Sequence, residues 1–201
     1  NRINKNNFSW DEVDNNPFFC ADKDTVQVWE KDLNSLRKNG NSTGAIIEIV
    51  VENLPKGIGS PIYKKLDSQI AEGLMSINAV KGVEIGSGFK SASSTGNENN
   101  DEIFPNNDGG YIFNTNNAGG ILGGISTGQP IIANFAVKPT SSILIEKNSI
   151  DLSNKKTKII TKGRHDPCVG IRAVPISEAM MAIILVDQIM MHEAQVGTLT
   201  K

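Results

Sequence analysis

The stretch AIIEIVVENLPKGIGSPIYKKLDSQIAEGLMSINAVKGVEI, residues 45–85, decides the fold class. Residues 45–51 are apolar and mostly β-branched, which is typical of a strand. Proline and glycine at residues 53–61 predict a turn before a helix over 62–78 and a short strand over 80–85. The buried face of that helix would carry four aliphatic residues, Leu66, Ile70, Leu74 and Ile77.

The flanking sequence adds two more helices and several more strands. An apolar stripe predicts an amphipathic helix over residues 24–40, capped by Asp24 or Thr25 and stopped by Gly40. The stripe consists of Val26, Trp29, Leu33 and Leu36. Further along the chain we expect strands at 130–137 and 143–146, a hairpin arm at 150–161 and a third helix at 176–194.

These elements do not alternate strictly between strand and helix. This favours an α+β fold, an antiparallel sheet with flanking helices, over a doubly wound parallel sheet. Three segments fall outside the regular elements: a polar N-terminal loop at 1–16, a long Asn-rich loop or hairpin at 91–117, and a frayed tail at 195–201.

Composition excludes several classes of protein. Twenty basic and 22 acidic residues leave a net charge of −2, which argues against a general nucleic-acid binder. Two cysteines, Cys20 and Cys168, form no disulfide scaffold and favour a reducing compartment. The longest apolar run, residues 179–186, is too short for a membrane span, and the His and Cys spacing fits no metal site.

The first residue bears on how much of a protein this sequence represents. The chain begins with Asn1 rather than Met, and its first ten residues are polar. We therefore expect no secretory signal. We also expect the chain to be a fragment, a processed product or a cloned domain.

The segment KGRHDPCVGIR, residues 162–172, is the strongest candidate for an anion site. Arg164 offers a planar fork for carboxylate or phosphate, although it could also be a solvated charge. Asp166 could be a general base or a salt-bridge partner of the arginines. His165 could carry a proton or be a hydrogen-bonded loop residue, and a Cys–His pair with Cys168 is conceivable.

Two further segments have the composition of a ligand-binding loop. NAGGILGGISTG, residues 117–128, contains five glycines but matches neither a dinucleotide fingerprint nor a P-loop. Its glycines suit a close approach to a flat ligand or tight strand packing equally well. KPTSS, residues 138–142, combines a cation, a rigid turn and hydroxyls, which suits phosphate or flavin but is also common at the start of a strand.

Read together, these segments closely resemble one family, the chorismate synthases. The resemblance runs from about residue 17 to about residue 193. It is carried by PFFC (17–20), GIGSP (57–61), LMSINAVKGVEIG (74–86), NAGGILGGISTG (117–128), KPTSS (138–142) and KGRHDPCVGIRAVPISEAMMA (162–182). The resemblance implies a β-α-β sandwich, a cytoplasmic homotetramer, and loss of phosphate from 5-enolpyruvylshikimate 3-phosphate to give chorismate with reduced FMN.

The resemblance also assigns roles to individual residues. Asp166 falls where the family has an aspartate proposed to assist proton movement at the flavin. The implied flavin contacts are Asn78, Ala79, Gly123, Lys138, Pro139, Thr140, Ser141, Ser142 and Arg164. No metal is implied.

The departures from the family limit what the chain can do alone. Family members are longer at the N-terminal side, where both histidines regarded as catalytic lie, and His165 and His192 are not those histidines. Ser60 stands where the family usually has Glu, and Asn41 where it often has Asp. We therefore expect the isolated chain to be inactive without the N-terminal half. The alternatives are a flavin- or phosphate-binding fragment and a purely structural fragment.

Overall fold

A computed structural model of the chain describes residue 3 and residues 8–107 and 109–197. The helices are α1 (Lys23–Lys38), α2 (Leu66–Ser76), α3 (Gly96–Asn99) and α4 (Gly170–Val196). The strands are β1 (Ala45–Val51), β2 (Val80–Ile85), β3 (Ile103–Pro105), β4 (Tyr111–Phe113), β5 (Ile121–Leu122), β6 (Ile125–Ser126), β7 (Ile131–Val137), β8 (Lys147–Ile150) and β9 (Lys156–Ile159). Among the described residues, two 3-10 helices lie at Trp10–Asn15 and Gly88–Ser93.

The strands form one three-stranded sheet and three two-stranded pairs. The sheet has the order β1–β7–β2, so β7 is its central strand. The pairs β3–β4, β5–β6 and β8–β9 are antiparallel. Helices combined with antiparallel pairs confirm the predicted α+β class.

The chain divides into two compact units, each with its own interior. The first unit contains residues 1–45 and 137–174, and the second contains residues 46–136 and 175–201. In the second unit, alternate residues of β7 are buried, as the two-residue period of a strand requires. Phe135 is 1% exposed and is the largest fully buried side chain among the described residues.

Helix α2 confirms the sequence pattern for that part of the second unit. All four predicted core residues are buried: Leu66, Ile70, Leu74 and Ile77. The helix is shorter than predicted, Leu66–Ser76 instead of 62–78. Residues 62–65 form no helix, and Lys64 has a φ of +61°, which a right-handed helix excludes.

Helix α1 differs from the prediction at its start. The N-cap is Asp22, whose Oδ1 accepts hydrogen bonds from the amides of Asp24 and Thr25, so neither predicted cap is correct. Gly40 follows the helix with a φ of +63°, as predicted for a left-handed stop. The predicted apolar stripe is half-buried: Val26, Trp29, Leu33 and Leu36.

Two elements after β7 were misplaced by the sequence pattern. No strand forms at residues 143–146, because the Leu144 amide donates to the Gly40 carbonyl at 2.9 Å instead of pairing in a sheet. The expected hairpin arm is present as β8–β9. Helix α4 begins at Gly170 rather than at 176, and Pro175 lies inside it, in the second turn, where it has no amide hydrogen to donate to the carbonyl of residue 171.

The segments predicted to be irregular contain short elements. Within 1–16 the structure has the 3-10 helix Trp10–Asn15, whereas residues 1, 2 and 4–7 of the predicted loop lie outside the described residues. Within 91–117 it has α3 and the antiparallel β3–β4 pair. Of the predicted tail, residues 195 and 196 belong to α4 and 198–201 lie outside the described residues.

Helix α4 is long and apolar enough to cross a membrane by length and composition. Only 22% of its apolar window is buried. Neither property by itself identifies a membrane helix, because a helix that packs against another polypeptide has the same composition. The run of eight apolar residues noted in the sequence therefore understated the apolar length of this segment.

Candidate anion and cofactor site

Three loops of the first unit are joined by hydrogen bonds. The Ser42 hydroxyl, in the turn after α1, donates to the Thr140 carbonyl at 2.6 Å. The Thr140 hydroxyl donates to the Asp166 carbonyl at 3.1 Å, and the Thr43 amide donates to the Pro167 carbonyl at 2.8 Å. The KPTSS segment and the RHDP segment, 26 residues apart in sequence, are therefore neighbours.

The three loops line a cleft of about 390 Å³. The turn after α1 contributes Arg37, Gly40, Asn41 and Ser42. The segment after β7 contributes Ser142, Ile143 and Leu144, and the loop before α4 contributes Gly163, Arg164, His165, Asp166 and Pro167. Of the candidate site residues predicted from sequence, Ser142, Arg164 and Asp166 thus line one cleft.

Asp166 is fixed by an ion pair. Its Oδ2 lies 2.7 Å from Nε of Arg172, which is in the first turns of α4. The carboxylate is one-third exposed, so it faces the cleft while it remains paired. Of the two alternatives from sequence, the salt bridge is present, and it leaves the carboxylate accessible for proton transfer.

Arg164 is exposed at the cleft and makes no ion pair with any residue in the described part of the chain. Asp166, the only acidic residue among the described residues that line the cleft, is already bound to Arg172. The Arg164 guanidinium therefore has its donors available for an oxyanion.

His165 has a polar atom without a partner. Its Nε2 is buried and makes no hydrogen bond to any described residue. A buried ring nitrogen without a partner costs free energy unless a ligand or water pairs with it. The Cys168 thiol points to the Gly44 carbonyl at 3.9 Å, so the conceivable Cys–His pair is not formed.

The remaining KPTSS residues differ in exposure. Lys138, Pro139 and Ser141 are exposed, and the Ser141 carbonyl accepts a hydrogen bond from the Ile143 amide at 3.1 Å. Thr140 is half-buried with its proton already donated to the Asp166 carbonyl, which leaves its oxygen free only as an acceptor. The Lys138 ammonium is thus the cation of this segment that faces solvent.

Three of the predicted flavin contacts lie in the second unit. Asn78 and Ala79 connect α2 to β2, and Ala79 has a φ of +72°. That conformation is costly for a residue with a Cβ and is found preferentially at functional sites. Gly123, in the turn between β5 and β6, has a φ of +60° and would meet nothing within 4 Å if it carried a Cβ.

The sequence of the glycine segment left two explanations open, close approach to a ligand and tight strand packing. Different glycines of the segment fit each of them. A Cβ at Gly119 would lie 2.4 Å from the Gly86 amide nitrogen, and one at Gly124 would lie 2.6 Å from the Ser60 carbonyl. These two glycines are therefore required by close backbone packing. Gly123 alone faces open space among the three, so it is the one available to a ligand.

Asp101 fixes the start of the glycine segment. Its carboxylate accepts hydrogen bonds from the Thr115 hydroxyl and from the amides of Asn117 and Ala118. Burial alone would raise the pKa of Asp101, but these hydrogen bonds together outweigh it and lower the pKa below the ordinary value of 3.8.

Sequence reasoning missed Arg37 as a cleft residue. It lies in the last turn of α1, where a basic residue is explained well enough by the helix dipole. The sequence contained no motif that marked Arg37 as a site residue. Within the described residues, no group of three His, Cys, Asp or Glu is arranged to hold a metal.

Comparison with known sequences gives a consistent picture over nearly the whole chain. The family profile described as Chorismate synthase matches residues 2–190. The chorismate synthase of Rhodopseudomonas palustris (strain BisB5) is 59% identical over 196 residues, which is 98% of this chain and 54% of that protein. The enzyme of Bartonella henselae is 60% identical over 195 residues, 97% of this chain and 53% of its own length.

Comparison with solved structures agrees. A structure described as the crystal structure of chorismate synthase matches with a TM-score of 0.74 and 29% sequence identity. The match covers 90% of this chain and 47% of that one. The chain therefore spans about half the length of the relatives that it matches.

Proposed function

The chain belongs to the chorismate synthase family, and we propose that its protein eliminates phosphate from 5-enolpyruvylshikimate 3-phosphate to give chorismate. The observation that carries the proposal is the cleft in which Arg164, with an unpaired guanidinium, adjoins Asp166, a positioned carboxylate. The substrate bears one phosphate and two carboxylates, and a free guanidinium binds such groups bidentately.

Reduced FMN is the cofactor that we propose for the site. The orphaned Nε2 of His165 and the unpaired Arg164 fit a polar, anionic group of this kind. The residues proposed to hold it are Asn78, Ala79, Gly123, Lys138, Pro139, Thr140, Ser141, Ser142 and Arg164. When bound, reduced FMN would supply electron density to the breaking C–O bond.

Asp166 is the residue of this chain that we propose for proton movement. The Arg172 guanidinium, 2.7 Å from its Oδ2, holds the carboxylate in one orientation. A carboxylate fixed in this way can accept a proton at the atom not bound to Arg172, Oδ1, without reorganising. Arg164 would meanwhile hold the oxyanion of the bound ligand and exclude solvent counter-ions from it.

The activity requires more than these residues. The chain spans about half of its relatives, and we expect turnover only when the remaining family segments are supplied. We further propose a cytoplasmic homotetramer for the whole protein and neither nucleic acid nor membrane as a partner. The chain alone would then be a ligand-binding part of the enzyme.

The test measures FMN binding through the fluorescence of the flavin, with and without 5-enolpyruvylshikimate 3-phosphate. We expect substrate to strengthen binding and Arg164→Ala to weaken it about tenfold or more, since a charge-assisted contact is lost. Lys162→Ala is the matched control, because Lys162 is an exposed cation two residues away that does not line the cleft.

The outcomes separate the alternatives. Binding that Arg164→Ala weakens at least about tenfold, without turnover by the chain alone, supports the proposed site in a fragment that needs the rest of the enzyme. If Arg164→Ala and Lys162→Ala bind FMN equally well, the proposed site is wrong. If the wild-type chain binds neither ligand, the chain is a structural fragment.

A further inference from the structure

A second arginine reaches the cleft from a part of the sequence far from Arg164. Arg37 lies in the last turn of α1 and lines the same cleft, although it precedes Arg164 by 127 positions in the sequence. The turn after it is tied to the other loops by the Ser42–Thr140 and Thr43–Pro167 hydrogen bonds. The turn that follows Arg37 is therefore held beside the other two loops of the cleft.

Arg37 also has no charge partner of its own. It is exposed, and no ion pair joins it to any residue within 8–107 or 109–197. Within the part of the chain that the structure describes, Asp166 is the only carboxylate that lines the cleft, and its partner is Arg172. The cleft thus contains two guanidiniums without a counter-ion, which gives it a positive potential.

The chemistry of this pair favours an oxyanion. Each guanidinium presents a planar fork of donors that matches a carboxylate or a phosphate bidentately. Two forks in one cleft, one from the last turn of α1 and one from the loop before α4, suit a group that carries two negative charges or several oxygens. Ser142 and Asn41 also line the cleft, and the Ser142 hydroxyl and the side-chain NH2 of Asn41 add neutral donors.

We propose that Arg37 is a second oxyanion-binding residue of this cleft and acts together with Arg164 on one phosphate or carboxylate group of the bound ligand. The inference rests on the proposed function, because it takes the ligand of that site as given. Two sources could supply the group, the phosphate of the flavin or the anionic groups of the substrate.

A simpler role for Arg37 is electrostatic support of the α1 C-terminus. A cation in the last turn of a helix is favourable without any ligand. Lys38 has the same charge in the same turn and does not line the cleft. Lys38→Ala therefore reproduces the loss of helix support without the loss of a cleft residue.

The experiment compares Arg37→Ala, Arg37→Lys, Lys38→Ala and Arg164→Ala with the wild-type chain. Each is titrated with FMN, with riboflavin, which lacks the phosphate, and with 5-enolpyruvylshikimate 3-phosphate in the presence of FMN. Thermal melting of the alanine variants shows whether Arg37→Ala is as well folded as Lys38→Ala.

We expect Arg37→Ala to weaken the binding of one of the anionic ligands about tenfold. The affinities of Lys38→Ala should stay within about twofold of those of the wild type. Loss confined to FMN, with riboflavin unaffected, identifies the flavin phosphate as the bound group. Loss confined to the substrate titration identifies a substrate anion. Arg37→Lys should recover only part of the affinity, because an ammonium cannot make the bidentate contact.

Two results overturn the inference, and they are distinguishable. If Arg164→Ala weakens binding but Arg37→Ala behaves like Lys38→Ala for all ligands, the proposed function stands and Arg37 has no role in binding. If Arg164→Ala also leaves binding unchanged, or wild type binds neither FMN nor substrate, the proposed function fails and the inference fails with it.

Discussion

The second unit is built around large apolar side chains, whereas the first unit has few of them. In the second unit β7 and α2 alone bury Phe135, Leu66, Ile70 and Leu74 completely. Among the described residues of the first unit, the buried apolar side chains are small: Cys20, Ala21, Val137, Cys168 and Ala173.

The first unit is held together by polar contacts between its loops instead. Ser42, Thr43 and Thr140 connect the segments that line the cleft. A hydrogen bond contributes about 1 kcal/mol net, less than a large buried side chain. We therefore expect the first unit, which contains the candidate site, to open locally at a lower free energy than the second.

The largest effect is expected from the interior of the second unit. Phe135→Ala removes a fully buried ring from the central strand and should lower the free energy of unfolding by about 4 kcal/mol. Urea unfolding followed by circular dichroism measures the change. Phe89→Ala is the control, because Phe89 is 80% exposed and its loss should stay within about 0.5 kcal/mol. Equal losses for the two variants would contradict the assigned core.

A comparable test of the first unit is Gly40→Ala. The new Cβ would lie 2.8 Å from Cβ of Leu144, at a φ of +63° that disfavours any side chain. We expect a loss of about 3 kcal/mol from the two causes together, measured by thermal and urea unfolding.

The control for Gly40 separates the two causes. Gly57 also has a positive φ, +92°, but a Cβ there would meet nothing within 4 Å. Gly57→Ala should therefore cost only the backbone strain, about 1 kcal/mol. If Gly40→Ala lost no more free energy of unfolding than Gly57→Ala, the close approach of Leu144 to the new Cβ would add no cost.

The N-cap of α1 should have a smaller effect. Asp22 is buried and accepts hydrogen bonds from the amides of Asp24 and Thr25 and from the Thr25 hydroxyl. Asp22→Ala should lower the free energy of unfolding by about 2 kcal/mol. Asp22→Asn keeps an acceptor oxygen and should lose less than half of that. If the two variants were equally destabilised, charge rather than capping would be the cause.

The smallest effect is expected at Asp101, and only in acid. Its folded pKa is lowered, so its contribution is present above the ordinary value of 3.8 and is lost as the pH falls through the lower folded pKa. The amide resonances of Asn117 and Ala118 should shift in that range in wild type and not in Asp101→Asn. Identical titrations of the two proteins would rule out the assigned hydrogen bonds.

The part of the fold that could be predicted from sequence is the part governed by periodicity. The spacing of Leu66, Ile70, Leu74 and Ile77 predicted their burial, and the strands at 45–51 and 80–85 have the predicted bounds. The strand predicted at 143–146 was wrong, because the Leu144 amide donates its hydrogen bond to the Gly40 carbonyl, a contact that no local pattern encodes.

The candidate site could be predicted only where a motif was available. Arg164, Asp166 and Ser142 come from recognisable segments, and all three line the cleft. Arg37 could not be predicted, because nothing in the sequence of α1 distinguishes a cation that faces the cleft from one that faces solvent. The Asp166–Arg172 pair was foreseen only as one of two alternatives for the aspartate.

The two thiols give the first unit a chemical label of its own. The chain has two cysteines, and both Cys20 and Cys168 are buried in that unit. Burial also raises the pKa of the Cys20 thiol, which suppresses the reactive thiolate. An alkylating reagent would therefore modify the chain only during excursions that expose the unit containing the cleft. The rate of alkylation would report those excursions and would give no information on the second unit. A ligand that closes the cleft would slow the reaction.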